Sequence, residues 1–392
     1  MKTLLLSALL LASSLSALTL SEVIEKSLQK NPSLESINAR ITANTHAIDV
    51  SNQFANPELS LTSNSIDSSE PMSQTVLTVK QKIYYYGKRD SKQKVTLAQD
   101  ELLKEKLSAA KVELVAKIKT EAYTIWDLKE LYKIIDRYML LTKKNIALYE
   151  SYTSVSDNQH MGIMKAELSL SDLEIQKSKL TSEIYSAYSR LSYLAAFEVK
   201  NLDISLDMGK KPNLANYENM LVSNPDLLVK DKELQKESAK IEVADVNNYP
   251  DFNLIGGYAY RQNFDNYFNF GLSIALPIYG TEDAQEEEVR AQALVITSEK
   301  EDVKIAITSE LKVYYAQMLS SYQIYHIVQD NALPQIAHMF ELSNSSISTG
   351  GDLFKYIDVL FQKLSLEQKS INAVSNYNKA NAQISKLAGE LK

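Results

Sequence analysis

The chain contains no cysteine. That absence excludes disulfides, thiolate zinc sites, thiol catalysis and a lipid anchor on an N-terminal cysteine. Ten glycines and eight prolines in 392 residues are less than half the usual share, so turn chemistry is scarce and long helices are favoured. The four histidines, His46, His160, His326 and His338, are scattered and share no ligand spacing, so the sequence assigns no metal site and no cofactor. Beyond the N-terminus no stretch reaches the roughly 18 uninterrupted apolar residues of a transmembrane helix, which leaves a β-barrel as the only membrane-spanning form. A net charge of −7 argues against nucleic acid as a partner, because phosphate binding needs clustered basic residues. No nucleophile, base and orienting group converge, and Glu286-Glu287-Glu288 reads as a solvated helix face, so an enzyme is the weakest class.

The N-terminus has Lys2, an apolar run from Leu4 to Leu15 and a small-residue site at Ser14-Leu15-Ser16-Ala17, the pattern of a secretory signal over residues 1–17. Its removal leaves an exported chain one unit more negative.

A shift of 193 residues superposes the two halves of the sequence. Asn31-Pro32 falls on Asn224-Pro225, Val50 on Val243, Pro57 on Pro250, Gly87 on Gly280, Lys111 on Lys304, Tyr132 on Tyr325, Leu173 on Leu366 and Leu194-Ala195 on Leu387-Ala388. The expected organisation is a first repeat over 18–210 and a second over 211–392. Each holds a helix, two short alternating segments, one very long helix, a polar turn and a return helix. In the first repeat, Pro32 opens a helix running to about Gln53, and Pro57 ends it. From Lys88 to Met161 there is neither Gly nor Pro. Apolar residues recur at three- and four-residue steps: Leu103, Leu107, Leu114, Ile118, Ala122, Ile125, Tyr132, Ile135, Met139 and Ile146. A helix from Lys88 to about Tyr152 would be on the order of 100 Å long. The second repeat runs from about Glu282 to Leu342, with a kink expected at Pro334.

The segments between these helices alternate with period two, as strands with one lipid face and one polar face must. Phe252, Leu254, Gly256, Tyr258 and Tyr260 point one way, and after a turn Phe268, Phe270, Leu272, Ile274, Leu276 and Ile278 do the same. The first repeat offers Leu59 and Leu61, then Leu77, Val79, Ile83 and Tyr85, joined by a polar turn over Ser63 to Ser73. Four strands cannot close a barrel, and open edges in hydrocarbon leave unpaired N–H and C=O groups, so several chains must share one.

These features together resemble the TolC family of outer-membrane efflux ducts. The specific elements are Asn31-Pro32-x-Leu34 with its copy Asn224-Pro225-x-Leu227, the joint Gln81-x-Ile83-Tyr84-Tyr85-Tyr86-Gly87-Lys88-Arg89, its copy Leu276-Pro277-Ile278-Tyr279-Gly280, and Thr349-Gly350-Gly351-Asp352 followed by Asp358-Val359-Leu360. The resemblance implies a mainly α chain with a small β-barrel part: a homotrimer with a shared twelve-stranded transmembrane barrel, four strands per chain, and a long α-helical coiled-coil tunnel. It implies transport without catalysis, from an inner-membrane pump of RND type and a periplasmic adaptor, through the outer-membrane lipid. The implied aperture lies at Asp157, Gly350, Gly351, Asp352, Asp358 and Phe361. Asp358 matches an acidic-ring position, Phe361 stands where a second Asp is common, and Lys165 is in register with Asp358. The Gly87-Lys88-Arg89 joint resembles the heavy-metal branch, the CzcC- and CusC-like ducts. Drug efflux and type I secretion are alternatives within the fold, and a soluble periplasmic coiled-coil protein is the alternative outside it.

Bland readings accompany these. Asp352 suits a helix cap, and Asp358 suits a dipole partner as well as an aperture residue. His160-Met161-x-x-Met164 could offer soft ligands but reads first as packing. Tyr132, Tyr138 and Tyr149 read as interhelix packing, and Lys88-Arg89, unfavourable at a helix N-terminus, suggests a further partner.

Overall fold

The computed structural model describes residues 17–64, 70–151, 157–347 and 351–391. Most of the expected leader, the middle of the first polar turn, Gly350 and the side chain of Asp157 lie outside the described residues.

With so little Gly and Pro to interrupt them, the helices run long. The order is β1 (Leu18–Thr19), α1 (Leu20–Lys30), α2 (Pro32–Ser51), β2 (Glu58–Ser63), β3 (Gln74–Ile83), α3 (Lys88–Glu150), α4 (Asp157–Ala195), β4 (Leu202–Asp203), α5 (Leu214–Glu218), α6 (Pro225–Asn247), β5 (Phe252–Arg261), β6 (Tyr267–Ile274), α7 (Thr281–His326), α8 (Leu333–Ile347) and α9 (Leu353–Leu387). The Asn-Pro motif opens α2 and α6. At Asn224 the side chain accepts from the N–H groups of Asp226 and Leu227 at 3.0 and 3.1 Å, and Pro225 fills the first helical position, where a missing N–H costs nothing.

The 193-residue offset recurs in the backbone. Gly87 and Gly280 have φ of 86° and 70°, and Ala196 and Gly389 have φ of 59° and 76°. At the two strand-to-helix joints nothing lies within 4 Å of where a Cβ would stand, so the left-handed backbone alone calls for glycine there.

At Pro334 the long helix does not simply kink. A π turn over Ile327–Ala332 separates α7 from α8, and the Leu333 N–H donates to Val328 O. The wider turn takes up the site where proline lacks a donor and crowds the preceding carbonyls, so the helix resumes after it.

The chain forms two compact units, each drawing on both halves of the sequence. One joins the N-terminal segment through Pro32 with Lys111–Met220 and Ser309–Lys392, and the other joins Ser33–Ala110 with Leu221–Thr308. In the first unit, β1 and β4 form a two-residue parallel pair, Leu18 against Leu202, which the sequence pattern does not announce. Its helices pack Ile135, Tyr138, Ile146 and Tyr149 of α3, Ile163, Ala166 and Leu173 of α4, and Leu353, Tyr356, Ile357, Leu360 and Leu364 of α9 into one buried cluster. The expected stripe is buried from Leu114 onward, through Ile118, Ala122 and Ile125 to Ile146, except at Tyr132, which is half-buried. In the second unit, β2, β3, β5 and β6 form an antiparallel sheet in the order β2-β3-β5-β6. The last strand is shorter than its alternation suggests. It ends at Ile274, leaving Leu276 and Ile278 outside, because Pro277 has no N–H to give a ladder.

Candidate functional site

The sheet of the second unit sorts its side chains by register. Leu61, Leu77, Tyr258 and Phe268 lie in one cross-strand row, Leu59, Val79, Gly256 and Phe270 in the next, and Leu254 with Leu272 and Phe252 with Ile274 complete the same face. The opposite face carries Ser60, Thr78, Gly257 and Asn269 in one row and Lys82, Asn253 and Ser273 in another. The Asn269 amide lies over Gly257, and a Cβ there, 2.1 Å from Asn269 Oδ1, would turn that side chain aside. The apolar face is bare: Leu59, Leu61, Phe268, Phe270 and Leu272 are each more than 60% exposed, and Phe270 reaches 87%. Patches of this kind on ordinary soluble chains are small and mark an interaction surface or a membrane. Among the described residues, β2 and β6 have no partner strand on their outer edges.

The joint below the sheet answers the question posed by cations at a helix start. Lys88 is buried, and its Nζ lies 3.0 Å from Asp251 Oδ1. Asp251 also accepts the Tyr85 N–H at 3.0 Å and faces Lys82 Nζ at 3.1 Å, so one carboxylate ties the end of β3, the start of α3 and the start of β5. Arg89 donates to Asn52 O at 3.1 Å, and its guanidinium lies 3.8 Å from the Phe54 ring centroid. Tyr85 stacks on Tyr249 at 4.6 Å. Both cations therefore have internal partners, which position the sheet on the helices.

In the first unit, the turn into α9 is built tightly. Asp352 caps the helix, accepting from the N–H groups of Phe354 and Lys355 at 2.9 and 3.3 Å. The Tyr149 hydroxyl donates to Gly351 O, and a Cβ on Gly351 would meet Ser346 Oγ at 2.1 Å and Ser346 O at 2.7 Å. Gly162 of α4 lets α9 approach closely: a Cβ there would stand 3.0 Å from that of Leu353. Asp358 forms an ion pair with Lys165, its counterpart in the other repeat, and Lys165 Nζ also lies 3.5 Å from the Phe354 ring centroid. Phe361 is half-buried against the helical core. Tyr138 and Tyr149 are buried in packing, whereas His160, Met161 and Met164 are exposed. The turn thus places Gly351 and the cap Asp352 just ahead of α9, with Asp358 and Phe361 in its first three turns.

Sequence reading missed Asp127 of α3. Its Oδ1 is buried without a hydrogen-bond partner, and burial pushes the carboxyl up to about 6 against the partial counter-pull of Lys379. Burial in turn lowers the Lys379 ammonium, with Asp127 and Glu121 opposing. A carboxyl raised in the folded state costs stability once ionised, so the cost grows as pH rises from about 3.9 through about 6 and vanishes at lower pH. Asp127→Asn should therefore raise the apparent melting temperature at pH 8, by an effect of at most about 3 kcal/mol, and leave it unchanged near pH 3. Equal gains at both pH values would reject this assignment.

The comparisons with known proteins follow the same geometry. Residues 216–390 match the outer membrane efflux protein family. That span lies within the second expected repeat and includes α6, the β5-β6 hairpin, α7, α8 and α9. No curated protein matches the chain in sequence. The chain is similar in structure to the open state of the Neisseria gonorrhoeae MtrE outer membrane channel, with TM-score 0.78, 15% identity, and 94% of this chain and 88% of that one covered. VceC, an outer membrane protein of Vibrio cholerae, gives TM-score 0.76 at 13% identity, covering 94% and 96%. CusC gives 0.74 at 12%, covering 94% and 91%. The fold is that of the TolC-like outer-membrane channels, and the proteins it matches are channels rather than enzymes. CusC does not stand apart from the other two, so the heavy-metal branch is not singled out.

Proposed function

We propose that the protein is the outer-membrane exit duct of a tripartite efflux system. It is a homotrimer of two-repeat chains, 18–210 and 211–392, exported by a signal whose removal after Ala17 leaves Leu18, the first residue of β1, at the start. Three four-stranded sheets close a twelve-stranded barrel in outer-membrane lipid, and the helices form a periplasmic tunnel. A periplasmic adaptor docks on it, and an inner-membrane pump of RND type supplies the energy. The observation that carries this reading is the sheet: one exposed apolar face, one polar face and two unpaired edges, on a chain with the fold of outer-membrane channels.

The aperture is assigned to Asp157, Gly350, Gly351, Asp352, Asp358 and Phe361. Of these, Asp352 is used as a cap and Asp358 is paired with Lys165, so the acidic-ring position is neutralised within the chain. The cargo is a heavy-metal cation or a drug. The Lys88-Arg89 joint that suggested metals is accounted for by Asp251, Asn52 and Phe54, and gives metals no advantage.

Fractionation and the mass of the detergent-extracted protein test the reading. A trimer in the outer membrane is expected, together with sensitivity of a deletion strain to metals or to drugs. A water-soluble monomer would overturn it and leave the soluble coiled-coil alternative.

A further inference from the structure

The π turn over Ile327–Ala332 separates α7 from α8, at a place where the counterpart 193 residues earlier is regular helix inside α3. Up to the turn the two long helices bury matching positions. Leu311, Met318, Ser321 and Val328 are buried, and so are their counterparts Ile118, Ile125, Leu128 and Ile135. Beyond the turn the match slips by one residue. Thr142, Ile146 and Tyr149 of α3 are buried, but their counterparts Gln335, Met339 and Leu342 on α8 are exposed. The inward places go to the residues one further on, buried Ile336 and half-buried Phe340 and Ser343. The slip is not an insertion, because the offset stays at 193 on both sides, at Tyr132 with Tyr325 and at Leu173 with Leu366.

A single π turn holds one residue more than the α turn it replaces, and one residue turns a helix by about 100°. Here the Leu333 N–H reaches Val328 O, five residues back. Proline explains why only one repeat has the turn. Pro334 stands where α3 has Leu141, and in a regular helix it would leave Asp330 O without its donor and crowd that carbonyl. Side chains pin the turn where it is: Gln329 Nε2 donates to Ser370 Oγ on α9 at 2.7 Å, and His326 Nδ1 lies 3.0 Å from Asp330 Oδ2. Past the turn, Phe340 packs on Tyr356 with ring centroids 5.5 Å apart, and Lys363 Nζ lies 4.7 Å from the Phe340 ring. The helix α8 therefore carries two apolar pairs one step apart, Ile336 with Phe340 turned in and Met339 with Leu342 turned out.

We infer that the π turn is a phase switch: α8 has two registers on α9, one residue apart, and Pro334 holds it in the present one. Without the turn, α7 and α8 become one regular helix like α3. The α8 segment then rotates by about 100° and advances by about 1.5 Å, and Met339 and Leu342 replace Ile336 and Phe340 against Tyr356 and its neighbours. The same movement exchanges the apolar pair that α8 presents outward. The advance is taken up at the turn into α9, where the Gly351 N–H donates to Ser346 O at 2.9 Å. The device lies within one chain and holds whether or not the chain is a duct.

The chain has no cysteine, so introduced pairs report on their own positions. Phe340→Cys with Lys363→Cys, treated in whole cells with a one-carbon bis-methanethiosulfonate, should link within the chain more than Met339→Cys with Lys363→Cys does. The readout is the mass of the denatured single chain. Adding Pro334→Leu should reverse the ratio of the two products, and deleting Asn331 as well, which removes the residue that the turn accommodates, should restore it. An unchanged ratio in Pro334→Leu overturns the switch, because α8 then has one register whatever stands at position 334. Should Pro334→Leu fail to accumulate, the deletion of Asn331 alone decides: linkage kept at position 340 supports the switch, and linkage moved to a Glu341→Cys probe overturns it.

Discussion

Lys88→Ala is expected to cost about 1–3 kcal/mol, the usual penalty for taking one hydrogen-bonding partner from a largely buried group. The Lys88 side chain is only 7% exposed and that of Asp251 17%, so the carboxylate would lose its least solvated partner. Asp251 would keep the Tyr85 N–H and the more exposed Lys82, but it would lose the contact that ties the first turn of α3 to the start of β5. The readout is the heat resistance of the detergent-extracted protein, with its yield in the membrane. Lys88→Met with Asp251→Leu should recover part of the loss, because two apolar side chains of similar volume leave no buried charge. A Lys88→Ala protein as heat-resistant as the parent would show that the pair does not hold the joint.

The second large effect separates the two faces of the sheet. Leu272 is 61% exposed on the apolar face, and Ser273 is the next residue along, on the polar face. An arginine on a lipid-facing strand costs about 2–4 kcal/mol at the bilayer midplane, while lumen positions accept charge. Leu272→Arg should therefore prevent accumulation of the heat-stable membrane form, and Ser273→Arg should leave it intact. Equal tolerance of both substitutions would mean that the apolar face does not meet lipid.

Much of this architecture is legible in the sequence because it rests on short-range signals. Strand alternation sorts Leu59, Leu77, Leu254 and Leu272 to one face, as the ladder registers show. Gly87 and Gly280 mark left-handed joints, and the apolar stripe from Leu114 to Ile146 marks a buried helix face. What escapes is long-range or too short to carry a period. The β1–β4 pair joins two-residue strands more than 180 residues apart, and no periodicity survives in two residues. Lys88 shows only as a misplaced cation until Asp251, 163 residues on, is brought beside it. Asp358 reads equally as dipole partner or aperture residue, and only the fold reveals Lys165 as its counter-ion. Asp127 carries no motif at all, since burial of one carboxylate oxygen is a property of packing.

On the trimeric duct reading proposed above, the two outer edges of the β2-β3-β5-β6 sheet, unpartnered among the described residues, have a genetic consequence. A lone chain in hydrocarbon would leave a row of peptide groups unsatisfied on each side, so it has no settled state there, and insertion and association become a single event. The rate of that event falls steeply as unassembled chains become scarce. An allele that spoils β6 but leaves β2 sound can still engage a normal copy through its good edge and then block closure. Such alleles would behave as dominant, whereas alleles that prevent export would be recessive.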